Sequence, residues 1–533
     1  MASPWCQRSL MMPNTTQQAQ YDAIVVGAGH NGLICAHQLA KKGKKVLVLE
    51  AEPQAGGLAK GYEFSPSFFT SAVHTLPQLS KKLISSLQLE QHGFSSKQQI
   101  IPTLALSENG QHIGISKHTV DGVSSQDQEA FKEFTELMNQ FSKTMGPFWH
   151  KNPPRIEDRD VSDLLTFAQF GWNVRRLGIE KMAEFTRILA LPSQDLMDEF
   201  FENPLLKAAL SWDFLVGNKL APRSPNNAVL NQLLRNAGDL AGKQVYNTGA
   251  MPVAQAGQFI NALVKSCDSL GVIIQYNARV ESVLVNDHKV TGIKLADGSE
   301  ILASKVISNL DPKTSFQKLL GQQHLDIQFS HRINRIRDKG MVATLNLALN
   351  GLPKFKGVSN LNQRILIAPT MSDMETAFDS AKYGELPQHP VMEVMIPSVR
   401  DNTLCPGGQH VLSAQVMYVP YELKGDWATA KPKLLASIMA TLERYAPGLG
   451  KQVIASELLT PADIESKFNV NGGHWHHGEF CIDQWWVNRP TYGTNRYSTP
   501  MTGFFLCGAG AHPGGGIMGA AGMNAAREVL KND

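Results

Sequence analysis

Three glycines spaced Gly27-x-Gly29-x-x-Gly32, an acid at Glu50 and a glycine pair at Gly56-Gly57 could together hold a dinucleotide. Gly27 permits a tight turn. Gly29 removes a side chain where a pyrophosphate must approach backbone, and Gly32 lets a helix pack closely on a strand. The N-terminus of that helix faces the phosphates with its unpaired N–H groups. Glu50 can accept hydrogen bonds from ribose hydroxyls, and its charge disfavours a 2′-phosphate. GxGxxG alone is a weak signal. Strand, glycines, helix, strand and acid in that order make it strong.

The surrounding elements supply that order. "DAIVV" is a short apolar run of the kind a buried parallel strand makes. Residues 31–42 read as a helix with Leu33, Ala36, Leu39 and Ala40 on one face, and "KKVLVLE" is a second buried strand ending at Glu50. The acid, the short loop and Gly56-Gly57 resemble the FAD-binding signature of the glutathione-reductase-like flavoproteins. That resemblance makes FAD the expected cofactor, with Asn31, Ala51 and Leu58 counted among the contacting positions.

The rest of the chain is built for two domains. Its 533 residues exceed what one core usually serves. The formal net charge of +3 carries no basic footprint for nucleic acid. Six scattered cysteines form no CxxC pair, which argues against a disulfide framework, a zinc ribbon or a dithiol centre and fits a cytoplasmic compartment. No apolar run is long enough to span a bilayer. Residues 1–20 read as a disordered leader without an apolar core; a mitochondrial presequence, and so a matrix location in a eukaryote, is the alternative.

Residues 249–265 read as a helix, and the stretch from Gly271 to Leu310 alternates in period two with turns at "NDHK" and "ADGS", as a β-meander would. A capping-box-like Ser125-x-x-Gln128 opens a helix that places Phe131, Phe134, Met138 and Phe141 on one face. Residues 161–215 read as mostly helical. Within them "DLLTFAQFGWNVRRLGIEKM" mixes apolar and basic residues as interfacial helices do, although a core-facing helix is the plainer reading.

Toward the C-terminus, "GGHWHHGEFCIDQWWVNRP" and "GFFLCGAGAHPGGGIMGAAGMNAA", with "YDAIVVGAGHNGL", "ISNLDPKTSF" and "LTPADIE" elsewhere, resemble the bacterial-type phytoene desaturase superfamily. They are most similar to its subgroup of pyridine nucleotide-disulphide oxidoreductase-domain proteins. The resemblance runs from Tyr21 onward. It implies an α/β fold: a discontinuous Rossmann-type FAD domain (21–90, 245–312 and 495–531) and an α+β substrate domain with a mixed sheet and helical insert (91–244 and 313–494). It also implies that Val280 offers backbone near the adenine. Gly508 and Gly510 would end the last strand of the FAD sheet. The run through His512, Gly516, Met518 and Gly519 would pass the flavin, with a helix N-terminus at its pyrimidine edge. His512 and His74 are the candidate catalytic residues, and Lys60 could neutralise cofactor charge.

The chemistry expected is hydride removal from an apolar, polyene- or lipid-like small molecule to form a C=C bond, with oxygen or a quinone as electron acceptor. A redox-neutral isomerase and a flavin-stabilised assembly protein are the alternatives. Peripheral membrane contact and a homo-oligomer are the expected associations. His474, His476 and His477, read as neighbours on one strand, point alternately and lack an acid or cysteine beside them, so no metal site is expected.

Overall fold

The computed structural model describes residues 21–72, 79–95, 101–116, 118–155, 161–225, 230–233, 253–516 and 519–532. Strands Ala23–Val26 and Val46–Leu49 are four-residue apolar runs buried on both faces, which suits the interior of a parallel sheet. They lie at the centre of a five-stranded sheet ordered Phe504–Leu506, Val306–Ser308, Ala23–Val26, Val46–Leu49 and Ile273–Gln275, every pair parallel. The strands come from three separate stretches of chain. Helix His30–Ala40 packs against both Val253–Asp268 and Ala520–Lys531.

The meander is shorter than its alternation suggests. Ile273–Gln275 leaves it to become the edge of the parallel sheet, and only Val280–Asn286, Lys289–Leu295 and Glu300–Leu302 pair antiparallel. Alternation reports one-sided burial, which an edge strand and a meander strand share. Of the expected 249–265 helix, residues 249–252 lie outside the described residues, and the helix runs Val253–Asp268.

A second sheet of eight strands carries the other domain, in the order Val453–Leu459, Val342–Leu349, His410–Met417, Met392–Met395, Arg364–Ile367, Thr103–Ala105, Ile113–Ile115 and Val120–Asp121. Its pairs are antiparallel except Arg364–Ile367 with Thr103–Ala105. Alternate residues of the long central strand enter one core: Ala343, Leu345 and Leu347 pack with Leu434, Ile438 and Leu442 of helix Trp427–Tyr445. Helices Ser125–Trp149, Pro204–Leu215 and Met371–Lys382 contribute to a separate core with Phe131, Phe134, Met138 and Phe141. The cap of the first of these is Ser124, whose Oγ accepts the Asp127 N–H at 3.1 Å, not Ser125. Adjacent serines are indistinguishable to a spacing rule, and backbone geometry selects the one that is extended.

The two domains are tied by polar bonds as well as packing. Asn346 Oδ1 accepts from Thr70 Oγ1 at 3.0 Å, while Tyr62 donates to Glu457 at 2.7 Å. Helix Val161–Arg175 is held from beneath by Asp163, which receives Arg496 Nη1 at 2.8 Å. Its outer face is not core-facing: Leu164, Leu165 and Trp172 are exposed. Among the described residues no helix is long and apolar enough to cross a membrane.

Candidate active site

The dinucleotide motif assembles as one unit. Gly27 has φ +96° and donates its N–H to the Leu49 carbonyl, joining the glycine turn to the second strand. A Cβ on Gly32 would collide with the Gly27 carbonyl oxygen, so the helix can lie this close only with glycine there. Helix His30–Ala40 has Gly29 as its N-cap, with no side-chain cap and no acid in its first turn. Its first N–H groups are thus left for an anion.

Glu50 follows directly. One carboxylate oxygen accepts the Ala28 N–H at 2.7 Å and the other the Glu52 N–H at 3.0 Å. Burial raises its pKa against the lowering effect of those bonds. Ala51 follows in the same turn and is half-buried. Gly56 donates to the Ala28 carbonyl at 2.9 Å and pairs with Gly29 as an isolated bridge, so the second glycine pair lies on the first. Leu58 packs partly buried in a small cluster with Tyr62, and Lys60 reaches Glu52 at 3.7 Å. Val280 begins the meander beside Ala278, which donates to the Glu50 carbonyl at 2.8 Å.

The C-terminal glycines close over this unit. Strand Phe504–Leu506 ends at the sheet edge beside Val306–Ser308. A Cβ on Gly508 would stand 2.6 Å from the Asn309 carbonyl oxygen, and one on Gly510 would stand 2.5 Å from Pro312 Cδ. Asn309 also covers the first motif: its Nδ2 would be 2.6 Å from a Cβ on Gly29. Gly514 and Gly516 have positive φ, and Gly515 lies against the His476 ring. Gly519, φ +68°, precedes helix Ala520–Lys531 and fits against Ile34 and Leu83. Asn31 is buried and uses its side chain on the same helix, accepting the Gly522 N–H at 3.4 Å. His74 and Met518 lie outside the described residues.

His512 is fully enclosed. Its Nε2 is 2.9 Å from the Phe148 carbonyl, which can only accept, so Nε2 carries the proton and Nδ1 is bare. Its ring faces Trp149, and burial lowers its pKa to about 3.

The histidine segment, Arg489 and His30 complete the site. Segment 471–478 is a turn rather than a strand, with positive φ at Gly472, Gly473, His477 and Gly478. The alternate pointing of a strand therefore does not apply; His474 Nδ1 instead accepts the His476 N–H at 3.2 Å. Among the described residues no group of three metal-ligating side chains forms. Arg489 is fully buried and donates to the carbonyls of His476, Gly478, Glu479, Gln484 and Ala509, at 2.6 to 3.4 Å. It pins the histidine turn to the glycine turn. His30, the first residue of the helix, interacts electrostatically with His477 and lies beside the Gly516 backbone. His30 Nε2 and His477 Nδ1 are buried without a hydrogen-bond partner, and burial lowers both pKa values to about 4.

The walls beyond this turn are rings. Trp486 meets Phe170 at a tilt, 5.0 Å between centroids, and Phe167 and Phe148 edge-on at 5.5 and 6.0 Å. Phe480 lies against Gly514.

The glycine cradle, the uncapped helix and the bare imidazole nitrogens fit a dinucleotide with a polar ring system. A family model described as flavin-containing amine oxidoreductase matches residues 32–530. The rat pyridine nucleotide-disulfide oxidoreductase domain-containing protein 2 is 31% identical over 97% of this chain and 95% of its own. A lycopene-forming phytoene desaturase of Pseudescherichia vulneris is 25% identical over 93% of this chain and 96% of its own. Putrescine oxidase, solved with putrescine bound, shares the fold at a TM-score of 0.61 and 14% identity, covering 96% of this chain and 98% of that one.

Proposed function

The chain belongs to the flavin-containing amine oxidoreductase family and is an FAD-dependent oxidoreductase; from that premise we propose that its substrate is an apolar polyene- or lipid-like molecule, desaturated by loss of a hydride and a proton. The observation that carries this reading is the wall of rings, Phe148, Phe167, Phe170, Phe480 and Trp486, beside histidines that burial holds neutral. An ammonium substrate would be desolvated there without a facing carboxylate among the residues that form this wall. The phytoene desaturase relative supports the same class.

When bound, FAD supplies a two-electron acceptor able to take hydride from a C–H bond. Gly27, Gly29 and Gly32 would leave room for a pyrophosphate against backbone, and Glu50 would accept from a ribose hydroxyl. Asn309 closes the cradle from the far side. The backbone around Gly514–Gly516 accommodates the ring system. The substrate proton leaves from the carbon next to the one that loses hydride, and the new C=C bond forms between them. An acceptor must be neutral at working pH, as His477 is, and its Nδ1 has no competing partner. His512 acts as a positioning residue: its Nε2–H holds the end of helix Ser125–Trp149 against the glycine turn.

The test is anaerobic mixing of the flavoprotein with isoprenoid hydrocarbons, followed by product mass. Flavin bleaching with a product two hydrogens lighter is expected, and reoxidation by oxygen or by a quinone identifies the acceptor. A product of unchanged mass would make the protein an isomerase. No bleaching with any apolar substrate, but bleaching with amines, would overturn the substrate class.

A further inference from the structure

Helix Val161–Arg175 has two faces that its sequence alone does not separate. With about 100° between successive residues, Val161, Leu164, Leu165, Ala168 and Trp172 fall on one stripe. All five are exposed; Val161, Leu164, Leu165 and Trp172 are between 58% and 68% exposed. Asp163, Phe167, Phe170 and Val174 fall on the opposite stripe and face the protein. Isolated exposed apolar residues need no explanation, but a continuous stripe does. Ile179, 83% exposed, extends it past the turn at Gly178.

Charge is distributed asymmetrically around this patch. The one acid of helix 161–175 is Asp163, buried against Arg496. Exposed Arg175 and Arg176 close the end of the stripe, and neither pairs with a carboxylate among the described residues. Lys181 adds a third cation, and exposed Glu180 opposes it. A tryptophan, an apolar stripe and a cationic end are the composition of a helix lying in a membrane interface.

We infer that the outward face of helix Val161–Arg175, with Ile179, docks on an anionic lipid bilayer. The occupant is argued from the match between the unpaired arginines and an anionic headgroup layer, and between the stripe and the acyl boundary. The inner face gives the contact a purpose. Phe167 and Phe170 pack on Trp486, and Phe170 and Trp486 both meet Phe148, whose carbonyl holds His512. A continuous set of rings thus runs from the bilayer-facing helix to the glycine turn. This route rests on the apolar-substrate reading above; the docking does not.

The test is flotation of the full-length holoprotein with vesicles of phosphatidylcholine alone and with 30 mol% phosphatidylglycerol added (about one third anionic, enough to raise a surface potential). The wild type should float with the anionic vesicles and several-fold less with the neutral ones. Leu165→Glu/Trp172→Glu should lose flotation at least tenfold while keeping flavin content and melting temperature, because both positions face solvent. Arg175→Glu/Arg176→Glu should abolish the difference between the vesicle types. Brominated lipid should quench wild-type fluorescence and quench Trp172→Phe less. Equal flotation of the leucine–tryptophan variant, or none of the wild type, would overturn the docking surface. So would a wild-type dimer that the same variant converts to monomer, which would assign the face to a second copy. Because flotation requires no substrate, failure of the desaturation reading would leave this result standing.

Discussion

Asn31 and Gly522 lie at opposite ends of the sequence and touch: the Asn31 side chain accepts the Gly522 N–H at 3.4 Å, and a Cβ on Gly522 would collide with the Asn31 carbonyl oxygen. The first and last helices are therefore packed backbone to backbone. Replacing Gly522 by valine should destabilise the domain by about 1–3 kcal/mol through overpacking. On the proposed reading the uncapped N-terminus of the first helix holds the FAD phosphates, so FAD should also be lost. The flavin-to-protein absorbance ratio of purified G522V, beside that of Gly450→Val on the opposite domain, measures this. An unchanged ratio would separate the helix contact from the cofactor.

Gly32 makes the same demand inside the motif. Its Cβ position overlaps the Gly27 carbonyl, which is backbone and cannot swing aside. Gly32→Ala should therefore purify without flavin, while Gly43→Ala, whose Cβ position is open, should stay yellow apart from the strain of its positive φ. Isothermal titration of both apoproteins with FAD gives the comparison, with at least a hundredfold weaker binding expected for G32A.

Asn309 offers a charge test at constant size. Its amide nitrogen sits above Gly29, where a pyrophosphate must approach. Asn309→Asp places a carboxylate against that anion and should weaken FAD binding by ten- to a thousandfold, about 1.4–4 kcal/mol. Asn309→Ala removes the side chain without adding charge and should lose less than tenfold. Equal losses would mean that Asn309 only packs.

Much of this site was legible from the chain because its requirements are local. Gly27, Gly29, Gly32 and Glu50 act within one strand–helix–strand unit, so spacing alone places them. Asn309 is equally close to the cradle but reaches it from the strand Val306–Ser308, and only sheet order reveals that. Arg489 was silent for a different reason. A buried arginine bonded to carbonyls has no partner whose residue type betrays it. The outward stripe of helix 161–175 was readable as amphipathic in composition, but which face met the protein depended on Arg496, far along the chain. The histidine turn misled because period-two reasoning presumes a strand, and the glycines on both sides of it set positive φ instead.

Arg489 itself should be irreplaceable by lysine. Its guanidinium fork reaches the histidine turn and Ala509 at once, and an ammonium cannot span both. Arg489→Lys leaves buried carbonyls without donors, each costing about 1–3 kcal/mol. The expected outcome is a lower melting temperature together with faster FAD release on dilution. Release unchanged from wild type would show that the two turns keep their spacing without the fork.

Acid should unfold the protein earlier than its carboxylates require. His474 and His512 are buried, and burial is the largest cause lowering each to about 3 from an ordinary 6.5. Below pH 6.5 the unfolded chain takes up protons that the folded chain refuses. Stability is therefore fully present above pH 6.5 and falls as pH drops toward 3, by about 1.4 kcal/mol per pH unit for each histidine. Glu50 works in the opposite direction, since its raised pKa lets the folded state bind a proton first, but only in a window just above 4.5. Denaturant midpoints between pH 7 and 5 should accordingly fall steeply. His512→Gln, whose Nε2 can still donate to the Phe148 carbonyl, should remove one histidine's share of that slope. If H512Q retains the full slope, His512 is not the neutral group that burial makes it.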